Sequence, residues 1–159
     1  MVELIDIISY ILKYYPVKSE LSNARLTKMV YLIDWRSAFD YGEQVTNISW
    51  YFDNYGPFVH DVEETIENNL DIIQPIYTQN MYGTKKKMFV LRNENIDLNQ
   101  IPENVTKTID IIIEKTKGLY WQQFINFVYS TYPIVTSERY TYLNLVQKAI
   151  EYRQELSEE

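Results

Sequence analysis

The residues that could perform acid–base or metal chemistry are few, and they surround the one histidine of the chain. His60 is followed by Asp61, Glu63 and Glu64, types that can bind a metal ion or transfer protons when they share a helical turn. In a helix, however, His60, Glu63 and Glu64 would lie opposite the apolar positions of the same segment. We therefore predict a solvated helix face, with no catalytic residues, no metal site, no cofactor and no enzymatic activity.

Thiol chemistry is excluded by composition, because the chain contains no cysteine. Disulfides, thiolate metal ligands and cysteine nucleophiles are therefore ruled out, and a reducing compartment is favoured. The first residues lack a basic n-region, and no apolar run approaches the roughly 18 residues of a membrane span. These features predict a cytoplasmic protein with no membrane association.

The charge of the chain disfavours nucleic acid as a partner. The formal net charge is −7, whereas phosphate contacts are made by clusters of lysine and arginine. The one basic run, residues 85–87, is interpreted as a solvated strand entrance whose charges discourage edge pairing. An acidic surface could also complement a basic protein partner and speed their encounter.

Length and periodicity predict one α+β domain, mostly helical, with a small antiparallel β-sheet. The 159 residues, 46% of them hydrophobic, suffice for a single core. Residues 1–153 are assigned to this domain and residues 154–159 to a frayed acidic tail. Six helices are expected near residues 3–14, 22–39, 58–69, 103–117, 120–130 and 141–153, and the strands near 46–52, 72–78 and 86–92. Residues 80–84 are expected to connect the last two strands as a hairpin.

The second predicted helix contains a carboxylate among aromatic residues. Asp34 lies close to Tyr31 and Trp35, so it is expected to be partly buried and to need a partner. A hydrogen bond or an ion pair, to Lys28 or to another base, is the structural interpretation.

Tyrosine is unusually abundant, with 15 residues among 24 aromatic ones. Its ring can pack while its hydroxyl stays in water, which explains its enrichment at protein interfaces. Filling of the core and its margins is the simplest interpretation of any single tyrosine. The functional alternative is an exposed tyrosine-rich recognition face, since base stacking would also need a basic groove.

The order of elements over residues 24–66 resembles the Panacea, or SocA-like, antitoxin domain. Residues 26–34 read LTKMVYLID and are similar to the leucine-x-lysine-hydrophobic-hydrophobic-tyrosine-leucine helix of that family. Trp50 then stands in a predicted strand, and Tyr55-Gly56-Pro57 matches the turn that starts the next helix in the family. Residues 121–133 are similar, more loosely, to the family's later helix and its proline turn.

The resemblance implies a protein that binds and neutralises a toxin encoded by a neighbouring gene, in bacteria and their phages. Binding would be stoichiometric and would cover the active surface of the toxin. The alternative is a phage- or prophage-encoded protein that acts on a host protein, for example as a proteolytic adaptor. Turns held by a scaffold often carry recognition residues, so we expect contacts from the Tyr-Gly-Pro turn and the exposed side of the preceding helix. The predicted partner-binding residues are Lys28, Tyr31, Asp34, Trp50, Tyr51, Asp53, Asn54, Tyr55, Gly56 and Pro57.

Overall fold

The computed structural model describes residues 2–79 and 81–158, and over these residues the chain adopts the expected α+β fold. This described part contains seven α-helices and two small antiparallel sheets. The helices are α1 (Leu4–Tyr14), α2 (Asn23–Tyr41), α3 (Asp61–Glu67), α4 (Glu103–Thr116), α5 (Trp121–Tyr129), α6 (Tyr132–Val135) and α7 (Leu145–Ser157), and the strands are β1 (Tyr51–Asp53), β2 (Gly56–Phe58), β3 (Ile73–Gln79) and β4 (Lys85–Leu91).

The second helix, α2, forms the centre of the fold. It contacts α1, α3, α4 and α7, and every residue from Arg25 to Asp34 is buried. Its ends follow ordinary capping rules, since Ser22 Oγ accepts a hydrogen bond from the Arg25 amide and Gly42 takes a φ of 77°. A helix that is apolar around most of its circumference needs partners on all sides. The prediction that the helix has an exposed side over residues 28–34 is therefore wrong.

The hairpin formed by β3 and β4 agrees with the sequence-based prediction. The two strands pair from Ile73 with Leu91 to Gln79 with Lys85. Asn80, the first residue of the expected connection, lies outside the described residues. Lys85 and Lys86 are exposed at the start of β4, next to the connection that closes the hairpin, as expected of solvated charges.

Pro57 does not begin a helix, contrary to the prediction. It lies in β2, opposite Phe52 of β1, and the two strands form a tight hairpin. Gly56 adopts a φ of 98°, a left-handed conformation that glycine adopts without strain and that reverses the chain here. Because the chain must first return along β1, α3 begins only at Asp61.

The expected strand over residues 46–52 is reduced to its last part, and the predicted single sheet is replaced by two separate ones. The reason is the carboxylate of Asp34, which accepts hydrogen bonds from the backbone amides of Val45 and Thr46, both at 2.9 Å. These amides cannot then serve in a strand ladder. The segment wraps around the carboxylate, and β1 begins only at Tyr51.

Residues 139–143, here called the bracing segment, run beside β1 on the edge away from β2. The Phe52 amide donates to the Thr141 carbonyl at 2.9 Å, and the Leu143 amide donates to the Trp50 carbonyl at 2.8 Å. The short helix α6, which was not predicted, precedes this segment, and α7 starts four residues later than expected. The helical conformation of α7 extends to Ser157, while the fraying of residues 154–159 stays a prediction.

Candidate functional site

One concave feature of the described surface is a pocket of about 570 Å³ between the β1–β2 turn and two helices. Ala24 and Lys28, one helical turn apart on α2, form one side. The opposite side is formed by α5, and the turn closes the end. The lining residues are Ala24, Lys28, Asp53, Asn54, Tyr55, Phe58, Trp121, Gln122, Ile125 and Tyr129.

Aromatic and aliphatic side chains dominate the pocket walls. Phe58, Ile125 and Tyr129 are half-buried, whereas Trp121 is 47% exposed and Tyr55 is 81% exposed at the mouth. The ring of Tyr129 packs under the turn, with its nearest atom 3.5 Å from the position that a Cβ on Gly56 would occupy. Large apolar groups next to polar ones are the usual lining of a binding pocket.

Lys28 provides the positive charge in the pocket. Its side chain lines the cavity although the residue is only 3% exposed, and desolvation by burial lowers its pKa below the ordinary lysine value. No hydrogen bond or ion pair to its ammonium group occurs among the described residues. Because no described residue pairs with the ammonium group at the pocket wall, Lys28 has unused capacity to bind an anion.

The turn at the end of the pocket is held in place by its neighbours. The Tyr140 hydroxyl donates to Asn54 Oδ1 at 2.5 Å, and Arg139 Nε donates to the Asn54 carbonyl at 3.4 Å. Within the turn, the Asn54 amide donates to Asp53 Oδ1 at 2.8 Å. The bracing segment therefore fixes the turn and leaves the Tyr55 side chain free to contact a partner.

The predicted site residues divide into two groups. The structure brings Lys28, Asp53, Asn54 and Tyr55 together in the pocket lining. The others are not part of that lining: Tyr31, Asp34, Trp50, Gly56 and Pro57 are buried, and Tyr51 is half-buried. A role of any of these residues in partner binding stays a prediction.

Asp34 is fully buried and hydrogen-bonded, as expected, but its partners are neither Lys28 nor another base. Besides the two loop amides, its carboxylate accepts bonds from Thr46 Oγ1 at 2.5 Å, Trp50 Nε1 at 2.9 Å and Gln44 Nε2 at 3.4 Å. All these donors are neutral. Burial raises the pKa of Asp34 to about 6, although the hydrogen bonds oppose the shift. The carboxylate organises the 44–50 loop beneath the hairpin and is not available to a ligand.

Four lining residues on α5 escaped the sequence-based prediction: Trp121, Gln122, Ile125 and Tyr129. A signal for three of them was present, because Trp121, Ile125 and Tyr129 follow one another at intervals of four and lie on one side of the helix. Phe124 and Val128 already supply the core-facing stripe. The apolar surface of α5 is therefore wider than packing against the core requires. Such a surplus indicates that the helix has a second apolar side, which here lines the pocket.

The acidic group around His60 has no site geometry. His60 is exposed and packs edge-on against Phe58, with ring centroids 5.1 Å apart. Over residues 2–79 and 81–158, no group of three or more histidine, aspartate and glutamate residues is arranged to hold a metal ion. In the same described part of the chain, no helix has the length and apolar character needed to cross a membrane.

The fold and the pocket define a small α+β domain with an aromatic, lysine-containing cleft beside a braced hairpin turn. The family model described as "Antitoxin SocA-like, Panacea domain" matches residues 26–133, which contain all of the pocket lining except Ala24. The chain belongs to this family, as its sequence resemblance predicted. Comparison with curated proteins and with solved structures gave no significant match.

Proposed function

We propose that this protein is an antitoxin that neutralises a protein toxin encoded by a neighbouring bacterial or prophage gene. It would bind the toxin stoichiometrically in the cytoplasm and cover its active surface, without any chemical step. The observation that carries the proposal is the pocket of about 570 Å³ with exposed aromatic side chains at its mouth, in a chain of an antitoxin-like family.

The mouth of the pocket has the composition of a protein-binding surface. Tyr55 and Trp121 are large and exposed, and residues of these types contribute most of the binding energy at many interfaces. Because the turn is braced, little conformational entropy would be lost when a partner immobilises it. The net charge of −7 would speed the encounter with a basic toxin.

Co-expression with the neighbouring gene tests the function directly. The neighbour alone should arrest growth, and this chain should restore growth and be recovered with the toxin by affinity purification. If the neighbour is harmless, or toxic but never recovered with this chain, the antitoxin function is rejected. A role as a proteolytic adaptor for another protein would then be the alternative to test.

Tyr55→Ala tests whether the turn is the contact surface. The side chain is mostly exposed, so the melting temperature should not change, whereas loss of an aromatic anchor should weaken toxin binding by about 2 kcal/mol. Tyr77→Ala is the matched control, because Tyr77 is 71% exposed on the other hairpin. Equal toxin affinity of the two variants would exclude Tyr55 as an anchor.

The polar residues of the turn allow a second comparison. Asp53→Ala with Asn54→Ala should reduce toxin affinity, while Glu67→Ala with Asn68→Ala also removes one carboxylate and one carboxamide, at exposed positions outside the pocket. The melting temperature must be measured for both pairs, because Asn54 also receives the Tyr140 hydrogen bond. Wild-type toxin affinity in the first pair would show that the turn is only architectural.

A further inference from the structure

The ammonium group of Lys28 lies at the wall of an apolar pocket without a counter-ion. The residue is 3% exposed and lines the cavity, and the described residues offer its ammonium neither a hydrogen bond nor an ion pair. The other buried cation near the pocket, Arg25, differs in this respect. Its guanidinium donates to the Tyr15 hydroxyl at 2.7 Å and to the Thr116 and Leu119 carbonyls at 3.0 and 2.9 Å.

The carboxylate that shares the pocket does not satisfy Lys28. Asp53 lines the same cavity, yet it forms no ion pair with Lys28, and its Oδ1 already accepts the Asn54 amide. Asp53 also lies in the turn, whereas Lys28 lies on α2. An anion supplied by a partner would therefore be the first counter-ion of Lys28 among the contacts described. In a low-dielectric pocket such a charge-assisted hydrogen bond is stronger than the same bond in water.

The remaining walls specify what else the ligand must carry. Phe58, Trp121, Ile125 and Tyr129 surround the cavity with apolar and aromatic surface. A volume of about 570 Å³ falls within the range of pockets that enclose small ligands, about 300–1,000 Å³. A fully hydrated anion would leave these walls unused, whereas an anion attached to an apolar body would use both features.

We propose that this pocket binds a carboxylate carried next to an aromatic or large apolar side chain on a segment of the protein partner. The carboxylate contacts Lys28, and the apolar side chain packs against Trp121 and Tyr129. The identity of the partner as a toxin rests on the proposed function. The specificity for a carboxylate does not, because it depends only on residues of this chain.

Short peptides provide a test that needs no toxin. N-acetyl-Asp-Phe-amide, N-acetyl-Asn-Phe-amide and N-acetyl-Ala-Phe with a free terminal carboxylate are titrated into the full chain. The resonances of the Lys28 ammonium and its adjacent carbon are followed by NMR. The aspartate peptide should raise the Lys28 pKa and bind about tenfold or more tightly than its asparagine counterpart, as expected for a hydrogen bond between charged groups. Equivalent binding of the third peptide would show that a chain terminus supplies the same carboxylate chemistry.

Lys28→Met retains much of the apolar stem and should abolish the preference for the carboxylate peptides. Lys107→Met removes one charge from an exposed position, where Lys107 pairs with Glu103, and should keep the preference. Equal affinity for all three peptides, or no response of Lys28 to any of them, would overturn the proposal. The wild-type titration decides the matter even if Lys28→Met does not fold.

The same variants separate this proposal from the antitoxin function. If the neighbouring gene product is not a toxin, the peptide preference should still be observed. If the toxin binds and is neutralised by Lys28→Met as well as by wild type, the antitoxin function stands. The assignment of the pocket as its carboxylate site is then rejected.

Discussion

Replacement of Asp34 by alanine should be one of the most destabilising single changes in this fold. The carboxylate is 0% exposed and accepts five hydrogen bonds from the 44–50 loop. Without it, the Thr46 amide and the Trp50 indole N–H lose their acceptor in a buried environment, at about 1–3 kcal/mol each. Allowing for partial entry of water, we expect a loss of about 3–5 kcal/mol from a domain stability of about 5–15 kcal/mol.

Urea unfolding followed by tryptophan fluorescence measures this loss, and the indole N–H resonance of Trp50 reports the local change. A loss of that size should lower the melting temperature by roughly 10 °C for a domain of this length. Asp40→Ala is the matched control on the same helix, because Asp40 pairs with Arg36 near the surface at 2.6 Å and should contribute at most about 1 kcal/mol. If Asp34→Ala costs no more than Asp40→Ala, the loop is not organised by the carboxylate.

Three further predictions follow from the described contacts. Because burial raises the Asp34 pKa to about 6, the folded state retains a proton between about pH 4 and 6 that the unfolded state releases. The proton-linked part of the Asp34 contribution, which is fully present below that window, should therefore be lost as pH rises through it, while the hydrogen bonds to the carboxylate remain. The difference between wild type and Asp34→Asn in urea titrations measures this part. Gly56→Val should lower the melting temperature and toxin binding together, because valine is strained at a φ of 98° although Tyr129 leaves room for a Cβ; an unchanged melting curve would contradict this reasoning. Arg25→Lys should destabilise the fold by about 2 kcal/mol or more in thermal melts, because lysine cannot reproduce three guanidinium bonds, whereas Arg36→Lys at the surface should be nearly neutral.

The parts of the fold that the sequence predicted are those encoded locally. Ser22 and Gly42 mark the ends of α2 because both act within one helical turn of their own position. The β3–β4 hairpin was also predictable, since strand-forming residues flank a short glycine-containing connection.

The errors occurred where a local pattern was compatible with two structures. Tyr-Gly-Pro fits a helix start as well as the return strand of a hairpin, because proline at position 57 satisfies both. The bracing segment favours the hairpin over the helix start, because it pairs with β1 although it is distant in sequence. No pattern within residues 50–60 identifies that neighbour.

The candidate site was predicted in part for the same reason. Asp53, Asn54 and Tyr55 were found because they lie in one turn, and Lys28 was found through the family resemblance. The contribution of α5 depends on how that helix packs across the turn, which its own periodicity indicates only as a surplus of apolar positions. The partners of Asp34 were missed because a loop, and not a base, surrounds it.

The position of the bracing segment in the chain determines when the binding turn can form during synthesis. The residues that line the pocket have all been translated once Tyr129 is added. The Tyr140 hydroxyl that holds Asn54, however, belongs to a residue 86 positions after Asn54. Domains generally fold as units, so the braced turn is incomplete while residues 139–143 are still inside the ribosome. Competence to hold a partner tightly should arise only after residue 143 has left the ribosome.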